Sequence, residues 1–302
     1  MASAKAPAYE AITDRIITAL ESGTVPWRRP WVSRDRGTLR NGASGHEYRG
    51  INTVVLTLET LSTGYTDPRW VTFKQALDAG GHVRKGESGT PLVFWSVLRK
   101  SETGADGSEE SRAFPLLKRY TVFNVEQCDG LTLSDKHAPI EAGEGSAWSP
   151  DETAEGIVRG FRDAPTIEHD GGSRAFYRPT SDAIHLPARE SFTEASGYYG
   201  TLFHELSHST GHESRLNRHG METGIAAFGS ETYSREELAA EFGSAFLCGE
   251  AGFSEVQVEQ NAAYVASWLR VLKGDKRLAI VAASQGQKAA DYVLGRSNGG
   301  DA

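Results

Sequence analysis

The five residues His204-Glu205-Leu206-Ser207-His208 constrain what this chain can fold into more than any other stretch of it. On a helix, two histidines four positions apart project from the same face about one turn apart, where both can reach one metal ion. The flanks agree with a helix. Tyr198-Tyr199-Gly200-Thr201-Leu202-Phe203 brings apolar residues in at helical spacing, and Gly211 is placed to end the element just after the second histidine. Glu205, between the two, can act as general base by taking the proton of a water that attacks a carbonyl, and a bound Zn²⁺ lowers the pKa of such a water towards neutrality. The bland alternative is a surface helix that carries two histidines and a glutamate by chance.

A catalytic zinc needs a third protein ligand and an open fourth position, so a second element must pack against this helix. The segment Tyr233 to Leu247 is a strong helix with Glu236, Glu237 and Glu241 near its start. Glu237 and Glu241 share a face at i, i+4. One can bind the ion while the other orients a histidine, and the expectation is Glu237 as ligand and Glu241 as the orienting carboxylate. Ser234 and Glu237 also fit a capping box, in which case Glu237 only caps the helix. His212 is a further candidate ligand, set back by the break at Gly211 or by one more helical turn. Two imidazoles and a carboxylate favour Zn²⁺, with Mn²⁺ or Co²⁺ as alternatives. Tyr198, Tyr199 and Tyr233 are candidate oxyanion donors.

The chain around this site divides in two. Residues 134–152 are polar and rich in Gly, Ser, Pro and Glu, the best linker in the sequence. Before it, a helix over Tyr9–Ser22 closed by Gly23, a helical pattern over Ile51–Leu61, a strand and short helix over Trp70–Ala79, and strands at Pro91–Leu98 and Lys118–Val125 read as an α+β sheet domain of residues 1–133. Residues 101–111 read as a hairpin loop between those strands. After the linker, a helix over Thr153–Arg162, a hairpin over Arg174–Pro187 and three or four helices read as a mainly helical second domain, 153–302. The hairpin is a candidate edge against which an extended peptide could lie. Two cysteines, Cys128 and Cys248, exclude a disulfide framework. With no apolar leader and no stretch near the roughly 18 apolar residues of a membrane span, the expectation is a cytoplasmic protein with no membrane partner.

Charge separates the halves. Residues 1–100 hold 14 Lys and Arg against 9 Asp and Glu; residues 101–302 hold 18 against 31. The basic front also carries interleaved aromatics, and unpaired nucleic acid is bound by that mixture: bases stack on rings while phosphates pair with cations. The candidate DNA-binding residues are Trp27, Arg28, Arg29, Trp31, Tyr48, Arg49, Trp70, Arg84 and Lys85. Trp95, inside an apolar strand, reads as core. A dense acidic DNA mimic is excluded by the basic front.

Three blocks in the second half bring a family into view. They are Asp182-Ala183-Ile184-His185-Leu186-Pro187, the run from Tyr198 through the two histidines to Asn217, and Tyr233 to Glu241. Together they resemble the metallopeptidase domain of ArdC-like antirestriction proteins. The front is similar to that family's N-terminal domain through Pro26–Trp31, Tyr48-Arg49-Gly50-Ile51-Asn52, Trp70-Val71-Thr72-Phe73, Val83–Ser88 and Tyr120–Asn124. The resemblance implies a zincin-like fold behind and single-stranded DNA binding in front. It also implies a plasmid or mobile-element role in protecting incoming DNA from host restriction, with a protein substrate of unknown identity, possibly part of the host restriction machinery. It carries site roles onto His204, Glu205, His208, Glu237 and Glu241, and some role onto His212. Ser209 stands where many members have an aromatic, which points to an altered cleft wall. Two other readings fit the sequence: a DNA-binding protein with a structural or vestigial metal, and a plain metallopeptidase whose front domain binds a protein.

Overall fold

The computed structural model describes residues 8–26, 38–103, 109–133, 151–169, 172, 174–192, 194–218, 231–253 and 262–296. Helix α1 (Ala8–Glu21) buries Ile12, Ile16, Ile17 and Leu20 on one face. It ends at Gly23, whose φ of 84° is the left-handed conformation that glycine tolerates best. A short β1 (Arg40–Asn41) precedes α2 (Ile51–Thr63), which is likewise closed by a left-handed glycine, Gly64. Strand β2 (Arg69–Thr72) converts directly into α3 (Phe73–Asp78). The switch falls at Thr72, whose hydroxyl accepts the Gln75 amide while the Gln75 side chain accepts the Thr72 amide, a reciprocal cap that halts the strand and starts the helix.

Strands β4 (Thr90–Thr103) and β5 (Glu109–Asn124) form one long antiparallel ribbon, in register from Thr90 opposite Val122 to Thr103 opposite Glu109. The pairing runs through most of the 101–111 segment expected as loop. With β1 and β2 the ribbon makes a four-stranded sheet in the order β1-β2-β5-β4. A small separate pair joins β3 (His82–Val83) to β6 (Cys128–Asp129).

Past the linker segment, Asp151 caps α4 (Glu152–Gly160) by accepting the Ala154 amide. A three-stranded sheet follows in the order β7-β9-β8: β7 (Thr166–His169) runs parallel to β9 (Ala183–Leu186), and β8 (Phe176–Arg178) antiparallel to it. The hairpin expectation holds for β8 and β9; β7 adds an edge the sequence did not suggest. Four helices follow among the described residues: α5 (Ala195–Ser209), α6 (Glu231–Ala251), α7 (Ala262–Gly274) and α8 (Leu278–Val293). The fold is α+β, a sheet domain followed by a mainly helical one. No helix among the described residues is long and apolar enough to cross a membrane.

The site is positioned by α6. Its buried residues Leu238, Ala240, Phe242, Ala245, Leu247 and Cys248 pack between α5 on one side and α8 on another. Small residues let the three helices approach closely. A Cβ on Gly243 would lie 2.5 Å from the Ser207 hydroxyl of α5, and one on Gly286 of α8 would lie 2.7 Å from the Gly243 nitrogen. The Ser244 hydroxyl donates to the Gly200 carbonyl across the same crossing, at 2.9 Å.

The two halves share a core. Helix α1 packs on α7 and α8, and α2 on α8. Polar ties frame this contact: the Thr13 hydroxyl donates to the Lys276 carbonyl, the Gly50 amide donates to Gln287, and Arg49 pairs with Asp291.

Candidate metal centre

Helix α5 is buried along most of its length, and His204 and His208 project from one face with their ring centroids 4.7 Å apart. Their Nε2 atoms stand 3.1 Å from each other. The Glu237 carboxylate of α6 faces both, with Oε2 3.5 Å from His204 Nε2 and Oε1 3.4 Å from His208 Nε2. Among the described residues these three form the group able to hold an ion. Donors about 2.0–2.1 Å from a tetrahedral ion stand about 3.3–3.4 Å apart, so the observed spacings fit a divalent metal.

Glu237 does not cap its helix. Helix α6 begins at Glu231, so Ser234 lies inside the first turn, and its hydroxyl faces that of Ser267. Glu205 is buried, yet no hydrogen bond among the described residues takes up its carboxylate. It lies one residue from His204 on the same helix and contributes to the electrostatic field that raises that histidine.

The outer nitrogens of the two rings also meet carboxylates. Glu241 stands 3.9 Å from His204 Nδ1, and Glu236 lies 3.1 Å from His208 Nδ1. Glu236 is held in turn by Arg218. Sequence reasoning named Glu236 only as a possible ligand and passed over Arg218; the arginine's position, 18 residues from its partner across an intervening segment, gives no local signal.

His212 turns away from the group. Its Nδ1 meets the Ser214 hydroxyl at 2.8 Å in the turn that follows α5. The helix ends where expected, just after the second histidine: α5 stops at Ser209, although Gly211 has no left-handed φ. The left-handed residue is Asn217, with φ 46°. Ser209 is fully buried with its hydroxyl donating to the Leu206 carbonyl, so it forms no part of a cleft wall. Tyr198 and Tyr199 are buried as well; their hydroxyls are engaged by His169 and Glu155.

In the metal-free chain the facing carboxylates favour the protonated form of both histidines. Burial alone would lower the pKa of both histidines, but hydrogen bonding and attraction from Glu237 outweigh it and raise them, His208 the more strongly. Burial likewise pushes Glu237 up, and the two histidines overcome it, holding its carboxyl well below the usual carboxylate range. A histidine with a raised folded pKa keeps its proton to higher pH than in the unfolded chain. That stabilisation is complete below about pH 6.5 and fades as pH rises through the raised value. Metal requires neutral imidazoles. Metal uptake near neutral pH is therefore expected to release protons, so calorimetric titrations in two buffers of different ionisation enthalpy should give different heats. Equal heats would mean both rings are already neutral.

The candidate DNA-binding residues fare differently. Trp27, Arg28, Arg29 and Trp31 lie outside the described residues, as does the Trp95 side chain. Trp70 is fully buried, in a strand flanked on both sides and packed edge-on by Tyr65, and offers no face to a base. Tyr48 is buried too. Both expectations are corrected: these rings fill the core. Arg49 is taken by Asp291 at the domain contact, and Arg84 by Glu87, Asp129 and the Glu126 carbonyl. Lys85 is exposed.

Comparison with known proteins covers both halves. Residues 6–123 match the family described as the N-terminal domain of anti-restriction factor ArdC, and residues 153–285 match the zincin-like metallopeptidase family MPTase-PolyVal. The crystal structure of antirestriction protein ArdC from plasmid R388, metal-free, superposes with a TM-score of 0.77 at 38% identity, over 94% of this chain and 96% of that one. Its Mn(II)-bound form superposes at 0.74, with 39% identity over 95% and 97%. The DNA primase TraC of Escherichia coli is 40% identical over 97% of this chain, which spans only 28% of TraC's length. The protein y4eC of Sinorhizobium fredii is 36% identical over 94% of this chain and 91% of its own length. With both domains matched and ArdC itself aligned nearly end to end, the chain belongs to the ArdC antirestriction family.

Proposed function

We propose that this chain is a plasmid or mobile-element antirestriction protein that binds single-stranded DNA with its N-terminal domain and is a zinc-dependent peptidase in its C-terminal domain. The observation that carries the peptidase reading is the triangle of His204, His208 and Glu237 donor atoms at 3.1–3.5 Å beside a buried Glu205 whose carboxylate has no hydrogen bond among the described residues. That a relative has been solved in an Mn(II)-bound form supports a divalent ion as the group this site would hold. Zn²⁺ is the ion two imidazoles and one carboxylate favour, with Mn²⁺ and Co²⁺ able to substitute. When bound, the ion supplies Lewis acidity, polarising a carbonyl and acidifying water. The chain supplies the rest. Glu205 takes the proton of the attacking water and returns it to the departing amine. Strand β8 pairs only with β9 among the described strands and packs against α5, so its free edge can hold an extended peptide beside the histidines. A component of the host restriction machinery is the substrate we infer from the family's antirestriction role.

The DNA reading rests on the basic front and on relatives named DNA primases. With Trp70 and Tyr48 in the core, the exposed rings among the described residues of this domain are Phe73 and Phe94, 54% and 42% exposed. Lys74 adjoins the first, and Lys118 lies opposite the second in register. Wild-type protein should bind a labelled single-stranded oligonucleotide with an affinity that falls steeply as salt rises. Losing one stacked base in Phe73→Ala should weaken binding by about 1–3 kcal/mol. Binding that ignores salt would remove the DNA reading, and an unchanged Phe73→Ala would move the stacking face elsewhere.

A further inference from the structure

The segment that leaves α5 returns two arginines to it. Leu216 and Arg218 donate their amides to the carbonyls of Thr210 and Gly211, and Asn217 to that of His212, so the chain doubles back with Asn217 at its left-handed φ. Arg215 reaches the small sheet, with its side chain buried. It pairs with Asp182, which also accepts the Tyr177 hydroxyl, and it donates to the carbonyl of Ser209. Arg218 faces inward and is buried. Its Nε and one terminal nitrogen grip the two oxygens of Glu236 at 3.1 and 2.6 Å. Its other donors go to the Thr210 hydroxyl at 2.6 Å and the Ser207 carbonyl at 2.7 Å.

This arrangement bears on His208. Ser207 lies in the last turn of α5, where backbone carbonyls lack helical partners, and Arg218 takes up its carbonyl while clamping Glu236 of α6. The forked grip fixes the Glu236 carboxylate in one orientation, and that carboxylate meets His208 Nδ1 at 3.1 Å. A carboxylate there accepts the Nδ1–H, which leaves the lone pair on Nε2, the nitrogen that faces His204 and Glu237. Arg218 is therefore both the cap of the metal-bearing helix and the anchor of the group that orients its second histidine. A cap alone would have needed no carboxylate; a carboxylate alone, buried and unpaired, would have been free to rotate or to take a proton itself.

We propose that Arg218 and Glu236 are positioning residues for the metal centre: the Arg218–Glu236–His208 relay fixes the tautomer and ring orientation of His208 so that Nε2 is presented to the ion. The inference rests on the reading of His204, His208 and Glu237 as ligands. It is tested by zinc affinity, measured by competition with a chromophoric chelator on the full chain, alongside thermal unfolding of the metal-free protein. Glu236→Gln should weaken zinc binding by about 10–100-fold, the range for losing a histidine's outer partner. Arg218→Met strands a buried carboxylate, so its fold is supported in a double variant, Arg218→Met with Glu236→Leu, which replaces both ends by apolar groups. The double variant should match Glu236→Gln in affinity. In the zinc-loaded wild type the His208 Nδ1–H should give a slowly exchanging proton resonance, lost or shifted in both variants. Wild-type affinity in a folded double variant, with an unmoved His208 resonance, would reduce Arg218 to a helix cap and overturn the proposal. A wild type that binds no zinc would instead overturn the ligand assignment beneath it.

Discussion

Glu205→Gln is expected to abolish hydrolysis while leaving the metal in place. Removing a positioned general base costs about 10²–10⁴ in rate, and glutamine keeps the size and polarity of the side chain without its proton affinity. Glu205 is not one of the three facing donors, so zinc affinity should change little. The measurement is metal-dependent cleavage of an unfolded protein substrate, compared between wild type and variant at equal metal occupancy. Loss of cleavage with metal retained supports a peptidase; cleavage at the wild-type rate would show that Glu205 takes no part. Antirestriction activity adds a second readout. If it survives Glu205→Gln, protection of DNA comes from binding, and the metal serves structure.

Gly286→Ala is expected to be strongly destabilising although it adds a single methyl. The new Cβ would meet the Phe242 Cβ at 2.6 Å, the Gly243 nitrogen at 2.7 Å and the Ala239 carbonyl at 2.8 Å. Two of those atoms are backbone of α6, so helices must separate before the methyl fits. Overpacking of this kind costs about 1–3 kcal/mol. The displaced helix carries Glu236, Glu237 and Glu241, so zinc affinity should fall as well, although Gly286 touches no ligand. Gly156→Ala in α4 is the control: it has open space around it, and alanine should stabilise that helix by about 0.5–1 kcal/mol. Equal melting temperatures for Gly286→Ala and wild type would show that the α6–α8 crossing is looser than these distances require.

Much of the helical architecture could be read from the sequence because its signals are local. Ile12, Ile16 and Leu20 followed by Gly23 define α1 without reference to anything else, and the i, i+4 histidines point to α5. The facing carboxylate was legible to the extent that Glu237 sits on a helix of its own, at a spacing shared with Glu241. What was hidden depends on long-range packing. Trp70 and Tyr48 stand in runs as rich in cations as a binding surface. Trp70 is nonetheless interior, because β1, about thirty residues earlier, covers one flank of β2, and β5, about fifty residues later, covers the other. Arg49 reads as a free cation until Asp291, 242 residues away, is brought to it. Strand β7 has four residues and no clear alternation, and only its pairing with β9 defines it. Glu236 is indistinguishable from its neighbours until Arg218 folds back and selects it.

The account is tested most directly by the metal stoichiometry of the purified chain after equilibration with zinc and removal of excess, measured by elemental analysis beside His204→Ala. One zinc per wild-type chain, and close to none in the variant, is the result expected of a site built by His204, His208 and Glu237. No zinc in the wild type, or one zinc retained in the folded His204→Ala protein, would contradict it.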